Sequence, residues 1–284
     1  MPRPINPIIS FFFENKPSKE VIVAFLLVLV SLVFASAPVH ADLMNGLVGW
    51  WKFDEATSGT CSATTSDFSG RGNTGTCTNS PAYVQGKLGG ALSFNGSNQY
   101  LKVTSNMGIS GDATLSYSVW IKPSSISSVA TVVGLLATSG GVDIDAAILL
   151  SADGNGSIGL HFGSDGENAG GGTVSVGQWY HIVAVKTPGV LSTSTVNIYV
   201  NGVAQSLTHQ YIAGGTPNIT ATHLNIGAGW WTGDTSLPYS GIIDDVRIYN
   251  RVLTATEIHD LYLIGLGTVV YGNNSKIGVS KTSF

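Results

Sequence analysis

Residues 240–262 read SGIIDDVRIYNRVLTATEIHDLY. Gly241–Tyr249 has the apolar spacing of a core strand, yet Asp244 and Asp245 stand side by side in its middle. Neighbouring side chains on a strand point to opposite faces, so one acid should face water and the other inward. An inward carboxylate is costly unless it meets a cation, a hydrogen-bond cluster or a cleft. Alternation leaves Asp245 as the solvent-facing acid, or as the partner of Arg247 or Arg251. The strand is followed by Thr254-Ala255-Thr256-Glu257, a capping box, with Ile258, Leu261 and Tyr262 at helical spacing behind it. This pattern predicts one short surface helix packed by its apolar edge.

Outward from this segment, the chain reads as short strands separated by turn chemistry. Predicted strands are Gly46–Phe53, Ala91–Phe94, Tyr100–Val103, Thr114–Lys122, Ala130–Leu136, Ala147–Ser151 and Ile158–Phe162. Trp179–Lys186, Thr195–Val200, Ala204–Leu207 and His223–Ile226 complete the set with Gly241–Tyr249. Asn95-Gly96, Asp153-Gly154, Asn155-Gly156, Asp165-Gly166 and Asn201-Gly202 supply turns between them. Val196, Ile198 and Val200 fall on one face and Thr195, Asn197 and Tyr199 on the other, the alternation of a half-buried antiparallel strand. A run of this kind predicts an all-β, two-sheet antiparallel jelly-roll sandwich. The run Gly170-Gly171-Gly172, after Glu167 and Asn168, reads as a mobile loop. Charged residues are sparse at 11%, and the 36 glycines suit a chain with many turns rather than long helices.

The first 41 residues read as a targeting segment. Lys16 and Lys19 precede the uncharged run VIVAFLLVLVSLVF, residues 21–34, and Val39-His40-Ala41 offers small residues at the cleavage positions. We read a signal peptide cleaved after Ala41. The alternative, an apolar stretch continuing to Pro38 and retained as a membrane anchor, stays open. Either way, residues 42–263 form an exported domain, secreted or extracytoplasmic at the cell surface or in the periplasm. Residues 264–284 are a polar, Gly-rich tail or a late edge strand. Of the 13 basic and 17 acidic residues, Arg3, Lys16, Lys19, Glu14 and Glu20 belong to the leader. The remainder is mildly acidic with no Lys/Arg cluster, which argues against a nucleic-acid partner. Cys61 and Cys77 are the two cysteines. In an oxidising compartment they should pair, stabilising the fold by roughly 3 kcal/mol. No histidine lies nearby to make a metal site of them. Four Asn-x-Ser/Thr sequons begin at Asn95, Asn155, Asn218 and Asn273.

Five segments in order carry a family resemblance. They are LVGWWKFDE at 47–55, DFSGRGNTG at 67–75, GGALSFNG at 89–96, WYH at 179–181 with YVNG at 199–202, and GIIDDVRIY at 241–249. Together the chain resembles the laminin G-like, concanavalin A-like jelly-roll domains of secreted bacterial proteins, over about residues 46–262. The resemblance implies two curved antiparallel sheets, often a bound calcium, and roles as carbohydrate-binding or adhesive modules. Some hydrolases and lyases share the architecture, so fold alone does not settle function.

Oxygen ligands and glycines concentrate in the Asp67–Gly75 loop, which suits calcium. Asp67, Asn73 and Asp244 are the expected ligands, helped by backbone carbonyls. In the other reading Asp67 caps its own turn and Asp244 accepts backbone N–H groups. The hydrolases of this type carry Glu, an apolar residue, Asp, two residues and Glu along one strand. The nearest segment, VDIDAAI at 142–148, lacks both glutamates. His161, His181, His209 and His223 stand without an arginine between Arg71 and Arg247, which leaves a lyase site incomplete. We therefore expect no enzyme.

For binding, the salient segment is GAGWWTGD at 227–234, followed by Tyr239. Trp230 and Trp231 can stack on sugar rings, and Asp234 can accept hydroxyl hydrogen bonds, whereas Trp50, Trp51 and Trp179 read as core. The expected function is a non-catalytic carbohydrate-binding or adhesion module for a glycan or polysaccharide. A protein-binding or surface-assembly role is the alternative, and a polysaccharide-degrading enzyme comes third. A membrane would be met only through an uncleaved leader.

Overall fold

The computed structural model describes residues 42–137, 144–150, 156–162, 166–212, 216–229, 233–267, 271–272 and 275–276. The expected leader therefore lies outside the described residues, as do Trp230 and Trp231. Among the described residues, no helix is long and apolar enough to cross a membrane.

Two antiparallel sheets face each other, as the alternation predicted. The first contains β1 (Leu47–Trp51), β4 (Ala82–Gln85), β5 (Gly90–Asn95), β7 (Leu115–Pro123), β12 (Tyr180–Lys186), β13 (Val196–Val200), β14 (Val203–Ala204) and β17 (Ser240–Tyr249). Its order is β14-β13-β12-β7-β17-β5-β4, with β1 also paired to β17. The second contains β2 (Thr64–Thr65), β3 (Gly75–Thr78), β6 (Tyr100–Val103), β8 (Ala130–Leu136), β9 (Ile144–Leu150), β10 (Ser157–Phe162), β11 (Gly166–Thr173), β15 (Leu207–Ile212) and β16 (His223–Ile226). Its order is β15-β11-β10-β9-β8-β16-β6-β3-β2. A separate two-stranded hairpin, β18 (Tyr271–Gly272) and β19 (Ser275–Lys276), lies in the C-terminal stretch.

The apolar residues that alternate inward fill the space between the sheets. Val119, Ile121, Ile182, Ile198, Ile243 and Val246 come from one side, and Leu101, Val133, Ile148, Leu160 and Leu224 from the other. Fully burying a side chain of this size stabilises by about 1.5–3 kcal/mol. The outer face of the first sheet is closed by the helix α1 (Ala255–Gly265). Thr254 and Glu257 form the expected capping box. Leu43, Leu47, Val183, Val185, Tyr249, Leu253, Ile258, Leu261 and Ile264 make a second apolar cluster beneath it. Tyr262 extends this seam by stacking on Trp120 at 5.9 Å, and Trp120 in turn stacks on His181 at 5.1 Å.

Two segments depart from the sequence reading. GENAGGGT at 166–173 is not a loop but the strand β11, hydrogen-bonded between β10 and β15. Pairing on both edges holds it in a ladder that its glycines alone would not favour. The expected strand Ala204–Leu207 is in fact split: β14 completes a hairpin with β13, and β15 has crossed into the other sheet.

The acid pair of β17 also breaks the expected alternation, and the register gives the reason. On one edge, β17 pairs with β5 through Ser240–Ile243 and with β1 through Val246–Tyr249. The two acids occupy the handover between these partners. A register shift lies between Asp244 and Arg247 against β7, and Asp245 has φ +46°. A bulge of this kind adds a residue and cancels the two-residue period. Both acids are consequently buried, so Asp245 does not face solvent. Asp245 accepts from Trp50 Nε1 at 2.6 Å and from Arg247 Nε and Nη2 at 3.3 and 3.2 Å. Arg251 instead pairs with Glu257. Asp244 Oδ2 accepts the N–H groups of Lys87 and Leu88 at 2.7 and 2.8 Å, fixing the turn between β4 and β5.

Burial, then the neighbouring Asp245 charge, push the Asp244 carboxyl well above its ordinary value of 3.8. The folded state therefore keeps the Asp244 proton to higher pH than the unfolded chain does. Its contribution to stability is fully present below about pH 4 and is lost as pH rises through the folded value. Asp244→Asn should remove this loss, so its melting temperature relative to the native protein should climb between pH 4 and 7. A constant difference across that range would show that Asp244 stays ionised.

Candidate functional site

The outer face of the second sheet carries the polar groups that the core cannot take. Cross-strand partners share a face, and the register aligns Thr64 of β2, Thr76 of β3, Lys102 of β6 and Asn225 of β16 in one row. The same row continues through Gly134, Ala147 and His161. Its two halves differ. Thr64 and Thr76 are exposed and the Lys102 side chain is 28% exposed, whereas Gly134 is buried and Ala147 and His161 are buried at 0% and 8%. Leu136, Ala147 and Leu149 form a separate apolar cluster with Val129 on the buried half. Burial also lowers the His161 imidazole to about 4, so it is neutral near pH 7.

Asp234 marks the boundary between the halves. Its Oδ2 accepts from Lys102 Nζ at 2.6 Å, and its Oδ1 accepts from Asn225 Nδ2 at 2.9 Å and lies 2.8 Å from His223 Nε2. Burial raises this carboxyl, but the hydrogen bonds from Lys102, His223 and Asn225 outweigh it and hold the group below its ordinary value. Asp234 is thus an ionised anchor clamped to two strands. Buried Asn225 keeps a side-chain carbonyl with no hydrogen-bond partner among the described residues, next to this clamp. Sequence reading singled out Asp234 but not Lys102, Asn225 or the sheet-facing role of His223. Each is a polar residue at the outward position of an otherwise apolar strand, and that was the available signal.

Tyr239, expected beside the binding segment, belongs to the core: it is fully buried between the sheets. Its N–H donates to Gly227 O at 2.8 Å, so the chain has already rejoined the sheet there and the ring turns inward. Trp51 is fully buried as expected, but Trp50 is half-buried on the outer face, its ring between Arg247 and Lys52 at 4.2 and 4.5 Å.

The residues expected to hold calcium are spread over two turns and engaged in hydrogen bonds within the protein, while Asp244 Oδ1 is buried with no hydrogen-bond partner among the described residues. Asp67 accepts four hydrogen bonds, from the N–H groups of Trp50, Ser69 and Asn73 and from the Ser69 hydroxyl. Asp67 thereby caps its own turn. The Asn73 amide donates to Val48 O. Asp244 serves a different turn and shares no partner with them. Among the described residues no group of three His, Cys, Asp or Glu side chains could hold a metal ion. Cys61 and Cys77 form the expected disulfide, beside the β2–β3 hairpin.

A laminin G-type family model, described as the concanavalin A-like lectin/glucanases superfamily, matches residues 95–259. No curated protein sequence matches the chain. Among solved structures, domain 4 of AbnA, a GH43 extracellular arabinanase from Geobacillus stearothermophilus solved in complex with arabinotriose, is 26% identical with a TM-score of 0.55. That alignment covers 76% of this chain and 98% of the domain. Trypanosoma rangeli sialidase aligns at 17% identity and TM-score 0.54, over 77% of this chain and 33% of the sialidase. The binding domain of Paraclostridial Mosquitocidal Protein 1 aligns at 15% identity and TM-score 0.57, over 78% of this chain and 52% of that one. These last two speak for the fold.

Proposed function

The chain belongs to the concanavalin A-like lectin/glucanases superfamily, and from that premise we propose that it is a non-catalytic, exported module that binds glycans on the outer face of its second sheet. The observation that carries this reading is the Asp234 clamp. It fixes Asp234, three residues after Trp231 in the sequence, beside a shelf of exposed hydroxyl and partly exposed charged groups, Thr64, Thr76 and Lys102. Hydroxyl-rich ligands need such a mixture of donors and acceptors, with aromatic faces for the sugar C–H surface. The arabinotriose complex of the AbnA domain supports a glycan as the ligand class. The disulfide and the family support an extracytoplasmic location. No step of this reading needs calcium or a catalytic pair.

The test is binding of the purified protein to arabinan, xylan, cellulose and β-1,3-glucan, by pull-down and calorimetry. We expect binding to one class, weakened about tenfold or more in Trp231→Ala, as for a buried aromatic contact. A folded protein that binds none of them would sink the glycan reading and favour a protein partner.

A further inference from the structure

Between β16 and β17, the described residues 227–229 and 233–239 make contact with three adjacent strands of the second sheet, β8, β16 and β6. Gly227 N–H donates to Val132 O, and Thr131 of β8 binds the loop twice, its N–H to Leu237 O at 2.8 Å and its hydroxyl to Gly229 O at 2.7 Å. Gly229 N–H donates back across the loop to Ser236 O at 2.7 Å. Gly229 has φ +126°, and a Cβ there would lie 2.5 Å from Leu136 and 3.3 Å from the Asn225 amide, so the backbone rests directly on β8 and β16. Asp234 then ties the loop to β16 and β6. Beyond it, Leu136, Ala147 and Leu149 are buried.

We propose that the shelf is blind, and that it receives the end of a glycan chain rather than its interior. This rests on the glycan-binding reading above and adds the mode of recognition. From Thr64 to Lys102 the open row spans three strands, about 10 Å at the usual strand spacing. It begins at β2, the edge of the sheet, and stops at Asp234. Along the strands the shelf is equally short, because β2 has two residues and β3 has four. A chain bound through its interior would have to continue over β16 and β8, where Gly229 and Asp234 stand. A chain end meets instead a wall of fixed polar groups, in which Lys102 and Asp234 remain partly exposed.

The experiment measures affinity of the full chain for oligosaccharide ladders of increasing length, from disaccharides upward, in the arabinan, xylan, cellulose and β-1,3-glucan series. Each ladder is also tested with its reducing end converted to the alditol and with its non-reducing terminal sugar methylated. The expected result is an affinity that stops rising after the first few sugars and falls about tenfold or more, at least 1.4 kcal/mol, when one particular end is blocked. Asp234→Ala should remove the polar end of the wall over β6 and β16 and weaken the discrimination between blocked and free ends. Lys102→Met is the second variant if Asp234→Ala fails to fold. Affinity that keeps climbing with length and ignores both blocks overturns chain-end recognition while leaving glycan binding intact. A native protein that binds no ladder overturns both.

Discussion

Replacing Arg247 with alanine should destabilise the protein by about 3–5 kcal/mol, a large part of the 5–15 kcal/mol typical of a whole domain. The guanidinium is 5% exposed, pairs with Asp245 at 3.1 Å and lies 4.2 Å from the Trp50 ring centre. Truncation leaves the Asp245 carboxylate buried with only the Trp50 N–H to answer it. The cost therefore comes from the orphaned charge more than from the lost attraction. A paired substitution separates the two. Asp245→Asn tolerates the left-handed backbone that the bulge requires, and joined to Arg247→Met it removes both charges while keeping volume. The double variant should recover much of the loss, read as the denaturation midpoint in urea. Equal instability of the single and double variants would mean that packing around Trp50 carries the effect.

Reducing the Cys61–Cys77 bond, or substituting Cys61→Ala with Cys77→Ala, should cost roughly 3 kcal/mol on the chain-entropy account. The bond closes a loop of sequence separation 16 around the two-residue strand β2. β2 sits at the edge of its sheet and pairs only with β3 there, through Thr64 and Thr65. β3 is held by β6 and the connecting loop by Val48, Trp50 and Trp51, so the loss should fall first on β2 and its Thr64, the open end of the shelf. We expect reduced protein to lose glycan affinity at temperatures where far-ultraviolet dichroism still reports a folded sandwich. Parallel loss of both signals would show that the disulfide secures the fold as a whole and has no particular bearing on the site.

The strands that could be read in advance were those whose apolar residues alternate against a deep core, such as Thr114–Lys122 for β7 and Ala130–Leu136 for β8. β2, β3, β4 and β11 escaped because they are short or glycine-rich, and their extended backbone depends on partners distant in sequence. The disulfide and the helix cap were legible because each rests on a local chemical rule. Asp244 and Asp245 were noticed for the right reason, as acids in a core strand, but a period of two cannot foresee a bulge. At the candidate site Asp234 stood out beside the Trp pair, whereas its partners did not. Lys102 is 132 residues away in sequence and meets it only because β6 and β16 become neighbours in the sheet.

The seam between β1 and β17 has a consequence in time. Trp50 and Asp245 are 195 positions apart along the chain, so the first strand has no ladder partner until β17 has been made. At ordinary synthesis speeds of about 5–20 residues per second, that interval is on the order of ten to forty seconds. Throughout it Leu43 and Leu47, both buried in the finished protein, lack Tyr249, Leu253 and the helix residues that complete their cluster. Substitutions along this seam should accordingly show themselves as low yield and aggregation during production, before they register as a lower melting temperature in whatever protein survives.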